Sequence, residues 1–103
     1  MSASVNGFAW DDGNLEKCQK HGVSVAEIEA LFQGPIAVLP DPAHSGSETR
    51  FKAIGKSGQG RSILIVFTLR RRKGERLIRP ISARYMHKKE VDYYEEVAKT
   101  EDR

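Results

Sequence analysis

Between Asp41 and Arg50 the chain gathers His44, Ser45, Glu48 and Arg50. These supply an imidazole that titrates near neutral pH, a hydroxyl, a carboxylate and a cation that keeps its charge. Such groups side by side suit proton transfer beside a fixed positive charge. The stretch also holds Pro42, Gly46 and several hydroxyl residues, so it reads equally as a solvated hairpin loop. In that reading His44 caps a turn, and Glu48 and Arg50 form a surface ion pair worth little.

Other reactive or charged groups are spread more widely. His21, His44, Glu48 and His87 are the candidates for moving a proton, and Arg50, Arg61, Arg79 and Arg84 fall on or beside predicted strands. Arg70-Arg71-Arg72-Lys73-Gly74-Glu75-Arg76 has five cations in seven residues, and Arg84-Tyr85-Met86-His87-Lys88-Lys89 mixes cations with an aromatic ring. The two clusters bracket one predicted strand and suit a nucleic-acid-facing surface; solvated surface is the plain alternative. Lys20 and His21 close a helix, where the dipole alone favours cations. Tyr94 and Trp10 have core positions as their simplest reading. Cys18, the single cysteine, excludes an internal disulfide and a cysteine-based zinc set, and it reads as a small buried residue. The histidines and Glu48 lack close ligand spacing, so no metal and no cofactor are expected.

The elements that must position these groups fit one domain of 103 residues, with 39% hydrophobic and 30% charged residues. The domain core is expected over about residues 8–99. No apolar run approaches membrane-spanning length, no secretory signal is apparent, and cysteine usage suits a reducing cytoplasm. Phe8-Ala9-Trp10 is a short apolar anchor. Asp11 and Asp12 offer an N-cap for a helix to about His21, weakened by Gly13 and Asn14 and ended by Gly22. Ser24 and Glu27 form a capping box, with Val23 and Ile28 as its staple, for a second helix that stops at Gly34-Pro35. Four strands follow, over 36–39, 49–57, 61–69 and 76–84, with a charged turn over 71–75. A last helix runs to about Lys99. The result is an α+β domain: an N-terminal helical hairpin, a four-stranded antiparallel sheet and a C-terminal helix. Arg79 and Arg84 have opposite strand parity. They share a face only if a bulge intervenes, and Pro80 offers a cause.

A series of short pieces in order carries a family pattern. They are Phe8-Ala9-Trp10-Asp11; Lys20-His21-Gly22-Val23-Ser24; Asp41 with His44-Ser45 and Glu48-Thr49-Arg50; Ile54-Gly55; Gly60-Arg61; Val66-Phe67-Thr68; Ile78-Arg79-Pro80-Ile81-Ser82-Ala83-Arg84; and Glu90 with Tyr94. The chain thereby resembles the BrnT family of type II toxins, with the compact RelE/ParE-like ribonuclease fold. It departs from the family pattern at Cys18, where asparagine is usual, at Pro80, where isoleucine or valine is usual, and in a longer, more basic turn over 70–76.

The resemblance implies an endoribonuclease that cleaves messenger RNA and slows translation, and the lack of ligand spacing makes a metal-independent site the expectation. It implies a BrnA-like ribbon-helix-helix antitoxin as partner, with DNA contacted only through the toxin–antitoxin complex. A metal-free ribonuclease must activate the ribose 2′-hydroxyl, stabilise charge on the phosphorane and protonate the leaving 5′-oxygen. His44, Glu48, Arg50, Arg79 and Arg84 are the expected catalytic set, and Lys20, His21, Arg61, Arg71, Arg72, His87 and Tyr94 the expected RNA contacts. Two alternatives are a non-catalytic member that binds antitoxin or nucleic acid, and a ParE-like gyrase poison.

Overall fold

The computed structural model describes residues 5–42, 46 and 48–101, and side chains as far as residue 96. His44 and Ser45 lie outside the described residues. Eight elements follow in order: β1 (Gly7–Phe8), α1 (Asp12–Gln19), α2 (Val25–Gln33), β2 (Ala37–Pro40), β3 (Phe51–Lys56), β4 (Ser62–Arg72), β5 (Glu75–Tyr85) and α3 (Lys88–Glu101).

The sheet has five strands in the order β1-β5-β4-β3-β2. β2 to β5 form the expected antiparallel meander. The fifth strand corrects the expectation of four: β1 pairs with β5 in parallel, Gly7 with Leu77 and Phe8 with Ile78. Two residues leave no readable period in a sequence, and a parallel partner contributed from the far end of the chain has no local signature. The expected helical hairpin also changes in kind. α1 and α2 are consecutive, but α1 packs chiefly on β5 rather than on α2.

Both helix starts follow from reciprocal caps. In α2 the Ser24 hydroxyl accepts from the Glu27 amide at 3.1 Å, and Glu27 Oε1 accepts from the Ser24 amide at 3.0 Å. Val23 and Ile28, the staple pair, are fully buried. In α1, Asp11 Oδ1 accepts from the Asn14 amide at 3.1 Å, and Asn14 Oδ1 accepts from the Asp11 amide at 2.7 Å. Asn14 therefore strengthens the helix start that it was expected to weaken. Its side-chain amide also donates to the carbonyls of Ala9 (3.0 Å) and Pro80 (2.8 Å).

That tether explains how β5 tolerates Pro80. β1 ends at Phe8, beside Ile78. Beyond it, the Pro80 carbonyl points outward to Asn14, on the side where no strand remains to be paired, so the missing proline N–H costs no β1 ladder bond. On the other side the register slips. Val66 pairs with Ser82 and Phe67 with Pro80, which leaves Ile81 as the extra residue of a bulge.

One face of the sheet carries Ile63, Ile65, Phe67, Ala53, Ile78 and Ala83, packed against Cys18, Val23, Ile28 and Leu31 from the helices. Phe32 stands edge-on to both Phe8 and Phe67, and Phe51 stacks on Phe67. Gly55 lies where α2 crosses β3: a Cβ there would stand 3.0 Å from Leu31 and Ile36. Cys18 is fully buried, and loss of hydration pushes its thiol up to about 11.

β4 and β5 extend beyond the expected charged turn. Their ladder continues to the pair Arg72–Glu75, closed by Lys73 and Gly74 at φ 52° and 81°. Two central residues with positive φ make the tight hairpin turn whose twist matches paired strands. The cations at 70–72 are therefore on a strand and not in a loop. α3 starts only at Lys88, because β5 holds the chain to Tyr85. Among the described residues no helix is long and apolar enough to cross a membrane.

Candidate active site

The second face of the sheet is the polar one. Lys52 and Ile54 of β3, Leu64, Val66 and Thr68 of β4, and Arg79, Ser82 and Arg84 of β5 share its pleat parity through the pairs Lys52–Val66, Ile54–Leu64, Thr68–Arg79, Val66–Ser82 and Leu64–Arg84. The bulge at Ile81 brings this about. Without the extra residue, Arg79 and Arg84 would have opposite parity; with it, they fall in the same set.

Within this face a row crosses four chain segments. Arg50 precedes the Phe51–Phe67 pair and so lies level with Thr68, which pairs with Arg79. The Thr68 hydroxyl donates to the Thr49 carbonyl at 2.8 Å, and the Asp41 amide donates to the Arg50 carbonyl at 3.0 Å. Asp41, Arg50, Thr68 and Arg79 thus stand side by side, and two strand spacings put the Arg50 and Arg79 backbones roughly 10 Å apart. Asp41 is 3% exposed, with Lys52 Nζ at 4.0 Å from its Oδ1. Asp41 belongs to the family pattern and was not among the expected site residues. Its position between two prolines is the local signal, because both prolines limit how the chain can turn it.

Arg79 is held from beside α1: its Nη1 donates to Asp11 Oδ2 at 2.7 Å. This bond and the Asn14 amide hold the Asp11 carboxyl below its usual range. Arg84 makes a two-pronged pair with Glu90 of α3, at 2.8 Å and 2.7 Å. Glu90 also accepts from the His87 amide at 3.1 Å, which ties the first turn of α3 to the end of β5. Hydrogen bonds from Arg84, then from His87, lower the Glu90 carboxyl to about 2, and the same pairing raises Arg84. Glu90 was quoted in the family pattern and was not among the expected site residues.

The expected catalytic residues are only partly brought together. Arg50 and Arg79 share a row. Arg84 is four ladder positions from Arg79, about 14 Å along the strand. Glu48 does not face Arg84: it pairs with Arg70 through both its oxygens, at 3.0 Å each, on the exposed margin. His44 lies outside the described residues.

The expected RNA contacts divide between two ends. At the Arg84 end, Arg61 lies over the Tyr85 ring at 3.7 Å, and the Tyr85 hydroxyl donates to both Glu27 oxygens at 3.2 Å and 2.9 Å. The Glu27 carboxylate, as acceptor and as neighbouring charge, raises the Tyr85 hydroxyl. A Cβ on Gly22 would stand 3.9 Å from the same ring, so exposed Lys20 and His21 lie near this end on the helix side. His87 is exposed beside it, and Tyr94 is half-buried against Tyr93. Arg71 and Arg72 are at the opposite end, on the β4–β5 hairpin. Among the described residues no three His, Cys, Asp or Glu side chains form a metal-ligand group.

A small α+β domain that sets Arg50, Arg79 and Arg84 on one sheet face offers planar cations of the kind that pair with phosphate oxygens. The profile of the family described as "Ribonuclease toxin, BrnT, of type II toxin-antitoxin system" matches residues 10–90, from just after β1 through the Arg84–Glu90 pair. The chain belongs to this family of ribonuclease toxins. No curated protein matches it closely enough to count as a relative.

Proposed function

We propose that the chain is an endoribonuclease that cleaves messenger RNA without a metal ion, arrests translation in the cytoplasm, and is held inactive by a cognate antitoxin. The observation that carries this reading is the row Asp41–Arg50–Thr68–Arg79 on the polar sheet face of a BrnT-family chain. Arg50 and Arg79 stand on either side of Thr68 in this row, their backbones roughly 10 Å apart. Their planar guanidinium groups bind phosphate oxygens in pairs and stay charged as negative charge builds on the phosphorane. Arg84 takes a neighbouring phosphate along the strand. The proton acceptor for the 2′-hydroxyl comes from the segment joining β2 to β3, where His44 and Glu48 are the titratable side chains nearest Arg50 in sequence. The antitoxin is of the ribbon-helix-helix type, and DNA is bound only through the complex.

Incubating the purified chain with RNA and a chelator tests this. Cleavage should persist with the chelator present and disappear in Glu48→Ala and Arg84→Ala, with circular dichroism unchanged. Full cleavage by both variants would refute the site. One observation favours a second reading, a binding protein without cleavage. Arg79 and Arg84 both rest on carboxylates of the chain itself, Asp11 and Glu90. On that reading, RNA or antitoxin binds, no product forms, and expression of the chain alone leaves growth unchanged.

A further inference from the structure

The positive charge of this protein is not centred on the row of Arg50 and Arg79. Residues 70–76 hold five cations and one acid, a net of +4, while the whole chain carries +3. The remaining residues therefore sum to −1. These cations also do not sit on a slack loop. The β4–β5 ladder pairs Arg70 with Leu77, Arg71 with Arg76 and Arg72 with Glu75, and the tight Lys73-Gly74 turn closes it. Arg71 and Arg76 oppose each other directly across the ladder, which concentrates positive charge on the hairpin. Arg70 is engaged by Glu48. Arg71, Arg72 and Lys73 are exposed, and their side chains have no hydrogen-bond or ion-pair partner among the described residues.

From these features we infer that the β4–β5 hairpin is an arm that anchors the RNA backbone at a distance from the cleavage face, so that the preferred substrate is a long RNA and not a short oligonucleotide. The inference takes its ligand from the ribonuclease reading above. Its geometry is independent of that reading. Arg72 is eight ladder positions from Leu64, the partner of Arg84, which is about 27 Å along the strand. That distance corresponds to about eight nucleotides at the ~3.4 Å spacing of a stacked strand. The arm's tip from Arg70 to Arg76 has no apolar or aromatic residue. A protein partner would need such residues at the centre of its interface, whereas a phosphate backbone needs only rigid, charged donors.

The test is binding of 2′-O-methyl RNA, which cannot be cleaved, followed by fluorescence anisotropy across a salt series. Two lengths are compared, of about 20 and about four nucleotides, chosen to exceed and to fall short of the span above. In the variant Arg71→Ala/Arg72→Ala/Lys73→Ala, affinity for the long RNA should fall at least tenfold. The slope of log affinity against log salt should shrink by about 2, the value for three lost single-strand phosphate contacts. The short RNA should bind within about twofold of the wild type, because it cannot reach both ends. Arg71→Lys/Arg72→Lys should retain the wild-type slope. Equal loss for both lengths, no loss for either, or an arm that binds a poly-glutamate peptide and not RNA would overturn the inference. A wild-type chain that shows the length dependence and cleaves no RNA would refute the ribonuclease reading and leave the arm standing.

Discussion

Asn14 is where a single substitution should reach furthest. Its side chain is 4% exposed and makes three hydrogen bonds: one from the Asp11 amide, and two to the carbonyls of Ala9 and Pro80. Asn14→Ala removes all three. It takes the amide donor from two carbonyls at buried positions, and each stranded buried group costs about 1–3 kcal/mol. Half of the α1 capping box goes with them, although the Asp11 carboxylate still accepts from the residue 14 amide. The sum is roughly 3 kcal/mol, a sizeable share of the ~5–15 kcal/mol that holds a small domain together. For about 100 residues this lowers the melting temperature by roughly 15 °C. Asn14→Asp is the sharper version. It keeps the acceptor for the Asp11 amide but turns a donor into a carboxylate oxygen facing two carbonyls, so it should destabilise more than alanine despite its matching shape. Urea unfolding followed by circular dichroism measures both. A loss under about 1 kcal/mol for alanine, or a smaller loss for aspartate than for alanine, would refute the tether and with it the account of how β5 accommodates Pro80.

Two further predictions concern other parts of the frame. Gly55→Ala should cost about 1–3 kcal/mol in thermal unfolding, because the added Cβ would stand 3.0 Å from Leu31 and Ile36 in a packed contact; an unchanged melting temperature would show that α2 can move away freely. Glu90 titrates at about 2 in the folded chain against an ordinary 4.5, so its contribution is complete above pH 4.5 and is lost as pH falls toward 2. The urea midpoint of the wild type should therefore exceed that of Glu90→Gln at neutral pH, and the two should converge near pH 2; a gap that persists there would mean that the pairing with Arg84 is not its source.

The Arg84–Glu90 pair and the tether at Asn14 bear on the same question, how this face is kept in order. Asp11 caps α1 and also holds Arg79. Asn14 caps the same helix and also supports the bulge. Glu90 caps the start of α3 and also holds Arg84. In each case a residue at a helix start satisfies local backbone groups and at the same time sets a group on β5. A substitution at any of these caps should therefore be felt both in stability and in the position of an arginine.

What was legible in the sequence is what short-range physics controls. Ser24 and Glu27 satisfy each other across three residues, so the start of α2 could be read directly. Ile63 to Phe67 could be read as the central strand, since an unbroken apolar run buries both of its faces. The family could be read because many short pieces occur in one order. Local rules reached less far where the partner is remote. Asn14 reads as a weak helix former unless one knows that Pro80, 66 residues on, waits for its amide. β1 exists only because β5 is beside it. Pro80 announced that a bulge could occur, but whether Arg79 and Arg84 share a face depended on the register between β4 and β5, which is a property of the assembled sheet. The stretch from Asp41 to Arg50 divides in the same way. Its residue types were plain from the start, yet tertiary contacts drew Glu48 away to Arg70 and set Asp41 and Arg50 in line with Thr68 and Arg79. Side-chain chemistry is written in the residue type; which charges meet is decided by strand register and by the elements that close over the ends of the sheet.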